Sequence, residues 1–315
     1  MQANLDLKEE KVKKERKSIN YGKWGIYFII PFFVIYAIFT LIPQLLTVGY
    51  SFFSYYEVGL TTVGPKFIFL DNYINIFTPD KYGTIDVLKY FGNTMIIWVI
   101  GAIPQLVISL ILAIIFTSTR LNIKGQAFFK SVFYMPNVIM ASAFSLLFFQ
   151  LFSNTGPVNA ILADMGIETI NFLAFEIPVR SLIALMNFMM WFGNTTILLM
   201  AGIQGIDESV FESARMDGAS ATRVFFDITM PLLKPIFIYV AITSLIGGIQ
   251  MFDVPQILTN GMGTPDNSSK TIVMYLNSLI SVHNYGKAGA VSVILFIITG
   301  ILSMIVYKSM VKDED

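Results

Sequence analysis

Six apolar runs, at residues 26–48, 93–116, 132–152, 182–200, 233–252 and 288–307, decide what this chain can fold into. Each is about long enough to cross ~30 Å of hydrocarbon at ~1.5 Å per residue. Inside a bilayer a backbone amide finds no water, so a spanning segment must satisfy its own hydrogen bonds. The chain therefore reads as an all-α polytopic membrane protein with six transmembrane helices. Composition agrees: 55% of residues are hydrophobic and 13% charged, where a soluble domain carries about a quarter. Pro31 and Pro43 lie near the ends of the first run, where a missing N–H is tolerated.

An even number of spans puts both termini on one side, and Lys/Arg asymmetry says which. Lys8, Lys11, Lys13, Lys14, Arg16, Lys17 and Lys23 precede the first run. On the same side fall Arg120, Lys124 and Lys130, then Arg215, Arg223 and Lys234, then Lys308 and Lys312. Only Lys66, Lys81, Lys89, Arg180, Lys270 and Lys287 lie opposite. The richer side is expected in the cytoplasm. The organisation is then a cytoplasmic N-terminal arm at 1–23, a membrane domain at 24–308 and a cytoplasmic tail at 309–315. The charged start runs directly into an apolar run too long for a signal core, so no cleavable leader is expected.

Several chemistries are excluded. Formal net charge is zero, giving no bias toward nucleic acid. There is no cysteine, and the one histidine, His283, cannot build a metal site; it reads as a solvated loop residue. No catalytic set is present. No phosphate-binding G-x-x-x-x-G-K-[ST] loop occurs, so no nucleotide cofactor is expected on this chain. No Asp, Glu, Lys or Arg lies well inside any run, which argues against a proton-coupled carrier.

The connectors carry more information. The outer loop at 52–91 is rich in aromatics, among them Tyr55, Tyr56, Phe67, Phe69, Tyr73, Phe77 and Tyr82, and predicts a packed cap. The loop at 204–235 is the one long polar interruption with its own folding signals. Asp207 is placed as an N-cap with Glu208 in the first turn, and Gly218 sits where a left-handed residue ends the helix. Ser220 caps a second segment, in which Ala221, Val224, Phe225 and Ile228 make one apolar stripe that Pro231 is expected to stop.

ESARMDGASATRVFFDITMP in that loop resembles the EAA loop of ABC importer permeases, roughly E-A-A-x-x-D-G-A, a spacer, then F-x-x-I-x-x-P. Glu212, Ala214, Asp217, Gly218, Ala219, Phe225, Ile228 and Pro231 fall on matching positions; Ser213 replaces the second alanine and Met230 the usual leucine. LDNYINIF, FGNT, FKSVFYMP, TGPVN, MFDVPQILTNGMGTP and YGKAGAVSVILF resemble further blocks of the carbohydrate-uptake branch, on the side of the heterodimer like the maltose-type F subunit or a multiple-sugar permease. GMGTP stands where the branch has a compact GGP.

The resemblance implies a type I importer permease fold with a cytoplasmic coupling helix in the EAA loop, in the cytoplasmic membrane of a bacterium or archaeon. It implies three partners: a second homologous permease, an ATP-binding cassette ATPase dimer that binds ATP and Mg, and an extracellular or periplasmic sugar-binding protein. Glu212 would engage a polar or basic group on the ATPase, Gly218 would permit close approach, and Ala214, Ala219, Phe225 and Ile228 would pack or dock.

A sugar cannot shed its water into hydrocarbon without replacement partners. Asn187, Trp191 and Asn194 lie at i, i+4 and i+7 on one helical face, an indole with two amides, equally suited to lining a path or to gluing helices together. Gln250 and Asp253 are further path candidates. Gln105 beside Pro104 reads as satisfying backbone freed by a kink, and Ser244, Gly248 and Met251 as a packing stripe. The alternative function is a secondary transporter or channel for a small polar solute; co-purification without any ATPase would favour it.

Overall fold

In a computed structural model of the chain, residues 22–118, 121 and 123–311 are described. Most of the N-terminal arm (1–21), Arg120 and the tail from Lys312 onward lie outside the described residues. The chain forms two compact units, residues 1–47 and 48–315. Five helices among the described residues are long and apolar enough to cross a bilayer, or six if one bent pair counts as a span.

The first unit holds most of α1 (Trp24–Tyr50), whose apolar side chains are exposed, Phe28 by 80%. A π-helical turn at Ala37–Leu41 interrupts it, with the Ile42 N–H reaching back to Ala37 O. The reason lies just beyond. Pro43 lacks an N–H and its ring would strike the carbonyl four residues earlier, and a widened turn relieves both.

The second unit begins with a hairpin, β1 (Phe53–Val58) antiparallel to β2 (Thr61–Phe67), followed by α2 (Asp71–Ile76). This is the departure from an all-α chain. The predicted cap is built on two strands because aromatic and β-branched residues flank a turn at Gly59, which has φ +62°. Buried Asn72 stitches the hairpin to its base, its Nδ2 donating to Ser51 O and Phe53 O at 2.9 Å each. His283 is not simply solvated. Its Nδ1 lies 3.0 Å from Glu57 Oε2, and its carbonyl accepts from the Glu57 N–H at 3.2 Å.

The bundle is centred on α3 (Asp86–Thr117) and α7 (Glu176–Gln204), which run against each other. Glycine permits the approach: a Cβ on Gly101 would fall 2.9 Å from Ala184 O. The third apolar run is not one straight span. It divides into α4 (Gln126–Val138) and α5 (Ala141–Leu151), bent by 93°. Tertiary contacts set the bend. Asn137 Nδ2 donates to Met190 O on α7 at 3.1 Å, and Gly193 lies so close that a Cβ there would meet Phe133 O at 2.0 Å. Beyond the bend, α5 buries Phe144 and Phe148 in the central core with Ile183, Met186 and Leu258.

After the short α6 (Pro157–Asp164), the rest of the unit comprises α7, α8 (Glu208–Met216), α9 (Ala221–Val224), α10 (Met230–Ile249), α11 (Asp253–Leu258), α12 (Ile272–Ser281) and α13 (Tyr285–Val311). The fifth apolar run overshoots the end of α10 at Ile249. At the hairpin end the FGNT and LTNGMGTP stretches meet. Arg180 on α7 donates through Nη2 to Asn93 Oδ1 (2.6 Å) and through Nε to Ser268 O (2.9 Å), and pairs with Glu176. Asn93 Nδ2 in turn donates to Asn267 O and Lys270 O, at 2.9 and 3.2 Å. Ile272 N–H donates to Thr94 Oγ1 at 2.9 Å. The GMGTP turn closes on Lys270, whose Cβ would lie 2.5 Å from a Cβ on Gly263.

Gly193→Val should wedge α4 from α7 and cost about 1–3 kcal/mol or more. Thermal unfolding of the detergent-solubilised protein would show a midpoint several degrees lower. Gly300→Ala, where an added Cβ meets nothing within 4 Å, serves as the unshifted control.

Candidate functional site

Two regions hold most of the residues singled out by sequence. In the polar loop, Asp207 caps α8 as expected, its carboxylate accepting from the Ser209 N–H at 2.9 Å. That backbone bond, with the Ser209 side chain, holds the Asp207 carboxyl below its ordinary range. Gly218 has φ +73°, and around it Ala219 N–H reaches Ala214 O (3.0 Å) while Gly218 N–H reaches Arg215 O (3.1 Å). This is a Schellman ending. Ser220 Oγ then accepts from Arg223 N–H at 3.3 Å to start α9.

Residues 217–220 are the turn between the two helices. The loop differs from expectation in one respect. Pro231 does not stop the second segment. A π-helical turn at Phe225–Thr229 widens the backbone two residues ahead of Pro231, and Met230 N–H reaches back to Phe225 O. Thr229 Oγ1 also donates to Val224 O at 3.2 Å. So α9 runs into α10 without a break, by the same device that accommodates Pro43.

Of the matched residues, Glu212, Asp217, Gly218 and Pro231 are exposed, Ala214 is buried, and Ala219, Phe225 and Ile228 are half-buried. Ala221 is exposed, yet it borders the cavity beneath the loop together with Val224 and Phe225. Met216 (88% exposed) and Phe226 (63%) point outward and were not foreseen. Beneath the loop lies a cavity of about 360 Å³ bordered by Ile114, Ile203, Phe211, Val224 and Phe225.

The second region is a cavity of about 270 Å³ between α3, α7 and α10. The structure brings Asn187, Trp191 and Asn194 together on its α7 wall. Asn187 Nδ2 donates to Ile183 O at 2.9 Å; among the described residues no protein group engages the Asn194 side chain. Gln105 does not serve backbone at a kink. Its Nε2 donates to Thr195 Oγ1 at 2.8 Å, and both line the cavity.

Ser244, Gly248 and Met251 also line it. Trp98 lies on Gly248 so closely that a Cβ there would meet the indole at 2.0 Å, and Trp98 Nε1 lies 3.3 Å from Ser244 Oγ. Trp98, Tyr239 and Thr243 were missed from sequence. Trp98 and Gln105 are seven residues apart and Tyr239 and Thr243 four apart, so helical spacing could have found them. Gln250 and Asp253 lie outside the lining, exposed at the break between α10 and α11. Among the described residues, no cluster of three or more His, Cys, Asp or Glu could hold a metal ion.

Comparison with known proteins places these features in context. Residues 94–312 match the family model described as binding-protein-dependent transport system inner membrane component. The chain is 30% identical to the probable ABC transporter permease protein YesP of Bacillus subtilis over 304 residues, covering 95% of this chain and 94% of YesP. It is 30% identical to the multiple sugar-binding transport system permease protein MsmF of Streptococcus mutans, covering 95% and 99% respectively. Its fold is similar to a chain in the crystal structure of a bacterial ABC transporter involved in the import of the acidic polysaccharide alginate. There the TM-score is 0.76 at 19% identity, covering 96% of this chain and all of that one.

Asp207→Ala should expose the α8 amides to faster hydrogen exchange, while Asp207→Asn, still a capping residue, should retain most of the protection. Because the folded carboxyl titrates below its usual value near 3.9, its contribution is complete above about pH 4. It is lost as pH falls through the lower folded value. Exchange of the 207–216 peptide, compared between variants at matched pH, reads both effects.

Proposed function

Because the chain belongs to the family of binding-protein-dependent transport system inner membrane components, we propose that it is a permease subunit through which a carbohydrate enters the cell, driven by ATP hydrolysis on a separate chain. The observation that carries the substrate class is the cavity between α3, α7 and α10, where Trp98 and Trp191 offer flat apolar faces among amides and hydroxyls. A sugar presents the complementary surface, C–H faces ringed by hydroxyls, and it gives up water only where such partners replace it. The multiple-sugar naming of MsmF supports the same class.

In this reading the subunit is a multi-pass protein of a bacterial or archaeal cytoplasmic membrane, with both termini cytoplasmic by its Lys/Arg asymmetry. A second homologous permease completes the path, an extracellular or periplasmic binding protein delivers the sugar, and an ATPase dimer holds ATP and Mg. The turn at Gly218 docks on the ATPase. Glu212 and Asp217 offer it charge, Gly218 offers close approach because nothing lies within 4 Å of its missing side chain, and Ala214, Ala219, Phe225 and Ile228 hold the two short helices to the bundle.

The geometry supplies a mechanical route. Both short helices are capped, so the loop moves as a unit, and α9 continues through its π turn into α10. A displacement at residue 218 is therefore delivered along α10 to Tyr239, Thr243 and Ser244 at the cavity wall. Rocking of the helices between inward- and outward-open arrangements follows from such a lever.

Proteoliposomes test the assignment. The complete complex should accumulate labelled sugar with ATP, and this chain alone should not; accumulation by the lone chain would sink the proposal. Gly218→Pro should insert into the membrane normally yet abolish uptake and weaken ATPase co-purification, since proline cannot adopt φ +73°. Trp191→Ala should leave ATPase attachment intact and reduce uptake.

A further inference from the structure

The cavity lining is electroneutral. Its polar side-chain groups are amides (Gln105, Asn187, Asn194), hydroxyls (Thr195, Tyr239, Thr243, Ser244) and the indole N–H groups of Trp98 and Trp191. The helices that build it keep charge at a distance. No Asp, Glu, Lys or Arg occurs at residues 90–117 of α3, 181–204 of α7 or 235–249 of α10. At ~1.5 Å per residue, Arg180 stands about 16 Å along α7 from Trp191, and Lys89 about 24 Å along α3 from Gln105. Each of the three Arg180 nitrogens is also engaged, by Ser268, Asn93 and Glu176. Lys234, the nearest cation in sequence, precedes Tyr239 on α10 and is not part of the lining.

An anion entering such a space loses its hydration and meets no counter-charge within hydrogen-bonding reach, and neutral amides replace only part of that loss. A neutral sugar loses only hydroxyl–water bonds, which the amides restore. The Asn194 amide, unengaged by any described residue, offers donors and an acceptor together. Fold does not decide the matter, since the structurally similar alginate importer handles an acidic polysaccharide. Resting on the reading of this cavity as the carbohydrate path, we propose that the solute passed by this subunit is an uncharged sugar. Sugars bearing a carboxylate, sulfonate or phosphate are discriminated against at this half of the path.

The chain's own tryptophans report on it. There are three, and Trp24→Phe leaves emission from Trp98 and Trp191, both at the cavity. The full chain with that substitution, in nanodiscs at neutral pH, is titrated with glucose, galactose and cellobiose. It is then titrated with their C6-carboxylate counterparts glucuronate, galacturonate and cellobiouronate. At least one neutral sugar should change the emission saturably, with its acid counterpart binding at least about tenfold more weakly, the discrimination expected for one uncompensated charge. Asn194→Arg, or Thr243→Lys should the first not fold, should narrow that gap by a similar factor. Equal affinity for a neutral sugar and its acid would overturn the charge inference and leave the carbohydrate path standing. No response to any sugar would overturn both.

Discussion

A peptide group left unpaired in hydrocarbon costs several kcal/mol, and that penalty shapes the way the described membrane helices carry their irregularities. Proline is the sharpest case, because it removes a donor and pushes a carbonyl aside. The chain answers the same way at Pro43 and Pro231, with a five-residue π turn ending two residues earlier, and neither helix breaks. Where a helix does break, between α4 and α5, a side chain at the end of α4 marks the place: Asn137 donates to the Met190 carbonyl on the neighbouring α7. At the hairpin end the non-helical 259–271 segment is pinned through Asn93, Thr94 and Arg180, whose donors and acceptors meet backbone groups that no helix pairs.

The same economy explains why glycine marks the close approaches. Gly101, Gly193 and Gly248 each bring a helix within reach of a neighbour's carbonyl or ring, distances that any Cβ would obstruct. In lipid, helices gain little from burying apolar surface against one another, so close packing and a few polar bonds must hold the bundle. The Trp98–Gly248 contact serves the cavity too, by fixing an indole at its wall.

Much of this was legible because it obeys local rules. The apolar runs follow from bilayer thickness. The caps at Asp207 and Ser220 and the left-handed turn at Gly218 depend on residues within a few positions of one another, and the structure has them as read. The Asn187–Trp191–Asn194 face follows from helical period alone. What escaped was tertiary or needed two rules weighed together. Pro231 does not act as a stop, because the π turn ahead of it keeps the helix continuous. The bend after Val138 depends on α7, far away in sequence. The hairpin was locally readable, since aromatic and β-branched residues on both sides of Gly59 favour strands, but the number of aromatics suggested only packing. His283 has its partner, Glu57, across the hairpin, invisible without the fold.

The absence of charge along the cavity-lining stretches of α3, α7 and α10 has a second consequence, apart from which solute fits between them. A carrier driven by an ion gradient needs a group that binds the ion and changes its energetics when it does, usually an ionisable side chain at membrane depth. Amides and hydroxyls do not titrate near neutral pH, so in these segments proton binding has nothing to act upon. On the proposed reading, work reaches the cavity as displacement. Of the three walls, α10 is the one that begins in the polar loop's second helix and arrives at the cavity without a break in its backbone bonding. A hinge at Pro231 would let the loop move while the wall stayed still; the π turn keeps the backbone continuous there, and under the proposed lever a backbone irregularity that looks like a defect is the condition for transmitting force.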